Sequence, residues 1–160
     1  MNLTDVKILE TDSFKDERGE LWTIWNKKEF SPKLNFNHDK IAVSKKHVLR
    51  GIHGDFKSWK LITCLLGEIF LVVVDPKTLE HISLILNDQN KLSVLAPPGL
   101  GNGHLVLSDK AVFYYKWAYK GDYPDVDDQF SLKWDDPKLN ITWPITFPIL
   151  SLRDQNAKSL

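Results

Sequence analysis

Short apolar segments alternate with clusters of turn-forming residues along most of the chain. Segments at 6–10, 20–26, 40–44, 60–66, 68–75, 79–86, 92–96, 104–108, 111–119 and 129–134 have the aromatic, β-branched and alternating character of strands. Breakers separate them: DERG at 16–19, NDQN at 87–90, PPGLGNG at 97–103, KGDYP at 120–124 and DDP at 135–137. Many short strands with frequent turns predict an all-β sandwich or barrel. Helix is expected only in short pieces, around 27–30 and after 151. No repeat, linker or break in composition interrupts residues 1–160, which predicts a single domain.

Two segments carry more information than their length. In KLITCLLGEIFLVVVD (60–75), extended structure points Lys60, Ile62, Cys64 and Leu66 one way and Leu61, Thr63 and Leu65 the other. Both faces are largely apolar, as in strands packed inside a sandwich, and Gly67-Glu68 marks a turn between them. Lys60 then shares a face with apolar neighbours, which is costly unless the charge is paired. In AVFYYKWAYKGDYP (111–124), Phe113, Tyr115 and Trp117 share one face and Tyr114, Lys116 and Ala118 the other. That pattern suits a core strand with tyrosines at its rim, and equally a tyrosine that lines a cavity as a general acid.

Composition narrows the function classes. Lys+Arg and Asp+Glu are equal at 21 each and interspersed, so no basic stripe suggests nucleic-acid binding. The single cysteine, Cys64, excludes an intrachain disulfide and a cysteine-based zinc site, and its apolar setting predicts a buried thiol. The longest apolar run, IFLVVV, is too short to span a bilayer, and the N-terminus lacks the apolar core of a signal peptide. A cytoplasmic protein without membrane partners is expected. The absence of G-x-G-x-x-G and P-loop motifs disfavours nicotinamide dehydrogenases and nucleoside triphosphatases.

Chemistry concentrates in VLRGIHGDFKSWKL (48–61), where Arg50, His53, Asp55 and Lys60 crowd a turn containing Gly51 and Gly54. Such a histidine can simply end a hairpin. Next to cationic groups it can also abstract a proton beside a carbonyl, with lysine or arginine stabilising the enolate oxygen. Metal binding is the weaker rival, because the five histidines at 38, 47, 53, 81 and 104 form no close pair. Prolines 137, 144 and 148 predict a wrapped, irregular C-terminal segment. Asp154 could buttress a histidine, or serve as a helix cap or solvated charge.

The chain resembles the nucleotide-sugar 3,5-epimerases of the dTDP-4-dehydrorhamnose type, which are cupins. The likeness rests on the order and spacing of DERGELW (16–22), VLRGIH (48–53), the 60–75 segment, LAPPGLGNGHLVLSD (95–109), FYYK (113–116), KWDDPKLNITWP (133–144) and PILSLRD (148–154). It implies an all-β jelly-roll sandwich, a homodimer with exchanged N-terminal strands, and an enzyme using no metal and no redox cofactor. It makes His53 the base, Asp154 its partner, Tyr115 the proton donor on the opposite face, and Lys60 the stabiliser of the enolate or phosphate. Arg50 is implied to contact the diphosphate and Arg18 the nucleotide. Thr23, His38, Lys40 and Asn102 are the expected substrate contacts at positions where this chain departs from the rhamnose-pathway pattern. His104, Tyr119 and Tyr123 join them.

The departures set finer expectations. Leu21, Thr23, His38 and Lys40 replace the Phe, Glu, Gln and Asn usual in rhamnose-pathway enzymes, and Asn102 replaces a histidine. Loop 54–59 is short, and KGDYP lengthens the segment after Tyr115. These features resemble a subgroup acting on GDP-linked 4-keto-heptoses in capsule pathways, which favours GDP over dTDP. The expected activity is inversion at C3, C5 or both centres of a nucleotide-diphospho-4-keto sugar. A cupin 3,4-ketoisomerase and a non-catalytic sugar-binding cupin are the alternatives. Asp55 is expected to be a loop residue at the barrel mouth.

Overall fold

Gly67 carries the chain from one sheet into another. Its φ is +79°, and a Cβ there would stand 2.1 Å from the Lys110 carbonyl oxygen, so the position demands glycine. The strands on either side, β6 (Trp59–Leu66) and β7 (Glu68–Val74), therefore belong to different layers. The expected turn is there, but it changes layer instead of closing a hairpin.

The computed structural model describes residues 1–28, 30 and 34–160. The strands before β6 are β1 (Lys7–Leu9), β2 (Ser13–Asp16), β3 (Gly19–Trp22), β4 (Phe36–Lys45) and β5 (Leu49–Gly54). After β7 come β8 (His81–Asn87), β9 (Ser93–Ala96), β10 (Gly101–Val106), β11 (Lys110–Ala118) and β12 (Phe130–Leu132), then the short helix α1 (Leu152–Gln155). One antiparallel sheet runs in the order β1-β9-β6-β11-β4 and the other β12-β5-β10-β7-β8, while β2 and β3 form a separate hairpin. This is the expected jelly-roll sandwich. Among the described residues, no helix is long and apolar enough to cross a membrane.

Strand β7 shows why its sequence is a continuous apolar run. Ile69, Leu71 and Val73 face the space between the sheets with Ile62, Cys64, Val94 and Phe113. Val72 and Val74 point outward with Ile52, against Leu132 and Leu139, with Phe70 and Trp143 at the edge. The proline-rich C-terminal segment thus wraps the outer face of the second sheet, as its composition predicts. It is anchored there by the Trp143 indole, which donates to the Trp134 carbonyl at 2.8 Å.

Some local expectations were displaced. Residues 49–54 are strand, not turn, and β10 begins at Gly101, inside the predicted breaker. Lys27 and Lys28 form a turn where helix was expected, and Glu29 lies outside the described residues. The helix after 151 is present as α1. Its approach is guided by a parallel bridge between Val48 and Ile149, with Ile149 N–H donating to the His47 carbonyl and Leu49 N–H to the Ile149 carbonyl. That bridge lays α1 against β5.

Candidate active site

His53 sits on β5 with both ring nitrogens engaged. Nε2 lies 2.8 Å from Asp154 Oδ1, and Nδ1 lies 2.9 Å from the Ser131 hydroxyl on β12. Ser131 is the register partner of His53, so strand pairing alone places that hydroxyl. Arg153 Nε donates to the same oxygen at 3.1 Å, which frees the serine proton to point at the histidine.

Asp154 is held from several sides. Ser151 caps α1 by accepting from Asp154 N–H, and its hydroxyl donates to Asp154 Oδ2 at 2.8 Å. Burial pushes the carboxyl pKa up, but the Ser151 hydroxyl, the adjacent His53 imidazole and the Gly51 backbone outweigh it. The carboxyl stays below its ordinary range and remains ionised. Gly51 was expected to lie in a turn. Its actual role is room: a Cβ there would stand 2.2 Å from Asp154 Oδ1.

The facing wall comes from the other sheet. Tyr115 and Trp117 project from β11 on the face that alternation assigned, with ring centroids 5.4 Å apart. Tyr114 and Lys116 point away and bind Asp39. Burial, with Tyr123 nearby, pushes the Tyr115 phenol up to about 12 despite the opposing Arg50 charge, so it keeps its proton at neutral pH. Lys60, on β6, is 6% exposed and packs its ammonium 4.5 Å from the Trp117 ring centroid.

Between the walls lies a cavity of about 440 Å³. Of the residues singled out from sequence, it gathers His53, Tyr115, Asp154 and Lys60 with Arg50, Lys40, Asn102, His104 and Tyr123. His104 is fully buried, stacked on Phe113, and held neutral because burial lowers its pKa to about 3. His38 and Tyr119 stay outside the lining. They reach it through Tyr123, on which the His38 ring stacks at 4.5 Å. Arg18 and Thr23 do not join the cavity: Arg18 is exposed on the β2–β3 turn and pairs with Asp16, and Thr23 is exposed after β3.

Asp55 is a correction. It is 2% exposed instead of lying at the mouth, and it faces Lys60. Ser131 and Arg153 were missed by sequence reasoning. Arg153 could have been suspected from its place beside Asp154, whereas Ser131 becomes visible only through strand register.

The dTDP-4-dehydrorhamnose 3,5-epimerase family profile matches residues 1–160. The chain belongs to this family. It is an isomerase, an epimerase of nucleotide 4-keto sugars. A dTDP-4-dehydrorhamnose 3,5-epimerase of Shigella flexneri is 34% identical over 98% of this chain and 91% of its own length. The dTDP-6-deoxy-D-glucose-3,5-epimerase of Legionella pneumophila, solved with dTDP-4-keto-L-rhamnose, superposes with a TM-score of 0.89 at 33% identity, covering 99% of this chain and 89% of that one. A 3'-monoepimerase from Streptomyces bikiniensis, solved with dTDP-quinovose, superposes at 0.85 with 28% identity, covering 96% and 83%. These relatives carry dTDP-linked names. They give the expectation of a GDP-linked heptose no support.

Proposed function

We propose that this epimerase inverts C3 and C5 of a dTDP-linked 4-keto-6-deoxyhexose by removing and returning protons beside the ketone. The observation that carries the reading is that His53 and Tyr115 project into one cavity from opposite sheets. Inversion needs a base on one face of the sugar carbon and an acid on the other. Asp154, ionised 2.8 Å from His53 Nε2, orients the imidazole and raises its basicity for removal of the substrate proton. Lys60 stabilises the enolate oxygen, and Tyr115, protonated at neutral pH, returns a proton to the far face. With Lys60 balanced by Asp55, the lining cations Lys40, Arg50 and Arg153 still outnumber the carboxylates Asp125 and Asp154, so the cavity attracts a diphosphate.

The same reading includes a homodimer with exchanged N-terminal segments. Phe14 and Leu21 face each other across the hairpin at 77% and 72% exposure, and β1 and β4 are sheet edges. A hairpin docked on a second copy covers those residues and carries the partner subunit's Arg18 towards the nucleotide. Sedimentation at the dimer mass supports this, and a monomer at micromolar concentration refutes it.

The decisive experiment for the activity is incubation with dTDP-4-keto-6-deoxyglucose in deuterated water. Expected is inversion with one deuteron each at C3 and C5. Deuterium at C3 alone reduces the reading to a 3-epimerase, a 3-keto product replaces it with ketoisomerisation, and no uptake overturns it. A GDP-linked 4-keto sugar serves as the comparison substrate and should turn over more slowly.

A further inference from the structure

We propose that Asp55 is a positioning residue that keeps Lys60 charged and aimed into the cavity, an inference that rests on the epimerase reading above. Asp55 Oδ2 lies 3.2 Å from Lys60 Nζ, with both side chains almost completely buried. Its other oxygen, Oδ1, accepts from the backbone N–H groups of Lys57 and Ser58 at 2.9 and 2.7 Å. The Asp55 carbonyl takes Gly99 N–H at 2.7 Å, which ties the turn to the loop before β10. The carboxylate is therefore fixed by backbone before it meets the lysine. One direction of the ammonium is taken by Asp55 and another by the Trp117 ring, and the remaining N–H is available to the cavity that Lys60 lines.

A lysine needs such a partner here. Burial is the largest influence on Lys60 and drives its pKa down, with Arg153 from α1 and Lys40 from β4 adding repulsion. Arg50 and His53 from β5, Asp125 and Asp154 line the same space. Asp55 is the charge that opposes the loss, through attraction across the 3.2 Å ion pair. A neutral amine could not offset the negative charge of an enolate oxygen, so the short 54–59 connection acts by carrying this carboxylate under the lysine.

The variant Asp55→Asn tests this cleanly, because the asparagine carbonyl can still accept from Lys57 and Ser58 while the charge is gone. Two readouts apply: the pH profile of kcat, and the titration of the Lys60 side chain followed by NMR of labelled lysine. Expected is a Lys60 titration, and with it the alkaline limb of kcat, displaced downward by about one pH unit or more. Asp55→Glu should return the limb towards its original position. Lys60 titrating at the same pH in Asp55→Asn and the unsubstituted protein overturns the inference. So does a neutral Lys60 at pH 7 in the unsubstituted protein, a measurement that needs no variant to fold. If no 4-keto nucleotide sugar is turned over at all, the epimerase reading falls, and the NMR titration still decides the pairing by itself.

Discussion

Asp154 carries its carboxylate directly over the α-carbon of Gly51, leaving no space for a side chain between helix α1 and strand β5. The contact is what brings Oδ1 to 2.8 Å from His53 Nε2. Gly51→Ala should therefore push the carboxylate off the imidazole while leaving both sheets paired. Turnover is expected to fall ~10²-fold or more, comparable to Asp154→Asn, because a general base without its oriented partner loses most of its advantage. Thermal unfolding should stay cooperative. Full activity in Gly51→Ala would show that the Asp154–His53 contact is dispensable.

Tyr115 and His53 face the cavity from different sheets, so their variants should fail differently. With Tyr115→Phe, His53 can still remove and return a proton on its own face. Substrate should then take up deuterium with its configuration retained, while inversion slows by ~10²–10⁴-fold. His53→Asn should abolish uptake and inversion together. Deuterium incorporation measured by mass spectrometry, beside product configuration by NMR, separates the two. Equal loss of exchange in both variants contradicts the division of roles.

How much of this was legible beforehand depended on range. Alternation within one strand put Tyr115 and Trp117 on one face and Tyr114 on the other, because side-chain direction in a strand is a local, two-residue property; that the first face meets a cavity came only from the packing of the two sheets. The apolar run of β7 announced a strand buried on both faces. The breakers misled where glycine served close packing instead of turning: Gly101 and Gly103 lie inside β10, where a Cβ would meet Ile52 and the Arg50 carbonyl. Asp55 and Ser131 were not assignable at all. Each acts across strands or a turn, through a burial that no one-dimensional pattern encodes.

Cys64 offers a check on burial between the sheets. Burial pushes its thiol up to about 11, and the thiol donates to the Leu66 carbonyl at 3.2 Å. Almost no thiolate exists at pH 8, and the side chain is closed to reagents. Iodoacetamide should leave the folded protein unmodified for hours and label it within minutes in denaturant. Rapid labelling of the folded chain would mean that the two sheets separate readily.

Glu20 joins the β2–β3 hairpin to the body of the protein, and that joint should be sensitive to acid. Its carboxylate accepts from Lys91 at 2.8 Å and from Ser13 at 2.6 Å, and Lys15 lies 3.4 Å away. Hydrogen bonds from Lys91 and Ser13 lower the Glu20 pKa to about 2. A carboxyl whose folded value lies below its unfolded one stabilises the fold above the unfolded value, and that contribution is lost as pH falls towards the folded one. The window here runs from about 4.5 down to about 2. Lys91, almost fully buried with its ammonium 5.4 Å from the Trp22 ring centroid, then loses its counter-charge. NMR spectra should show the Trp22 indole and the hairpin amides moving together with a midpoint near 2. In Glu20→Gln the same signals should already sit at their acid positions at pH 7. A hairpin that titrates with the ordinary glutamate midpoint, or not at all, would show that Lys91 does not hold it.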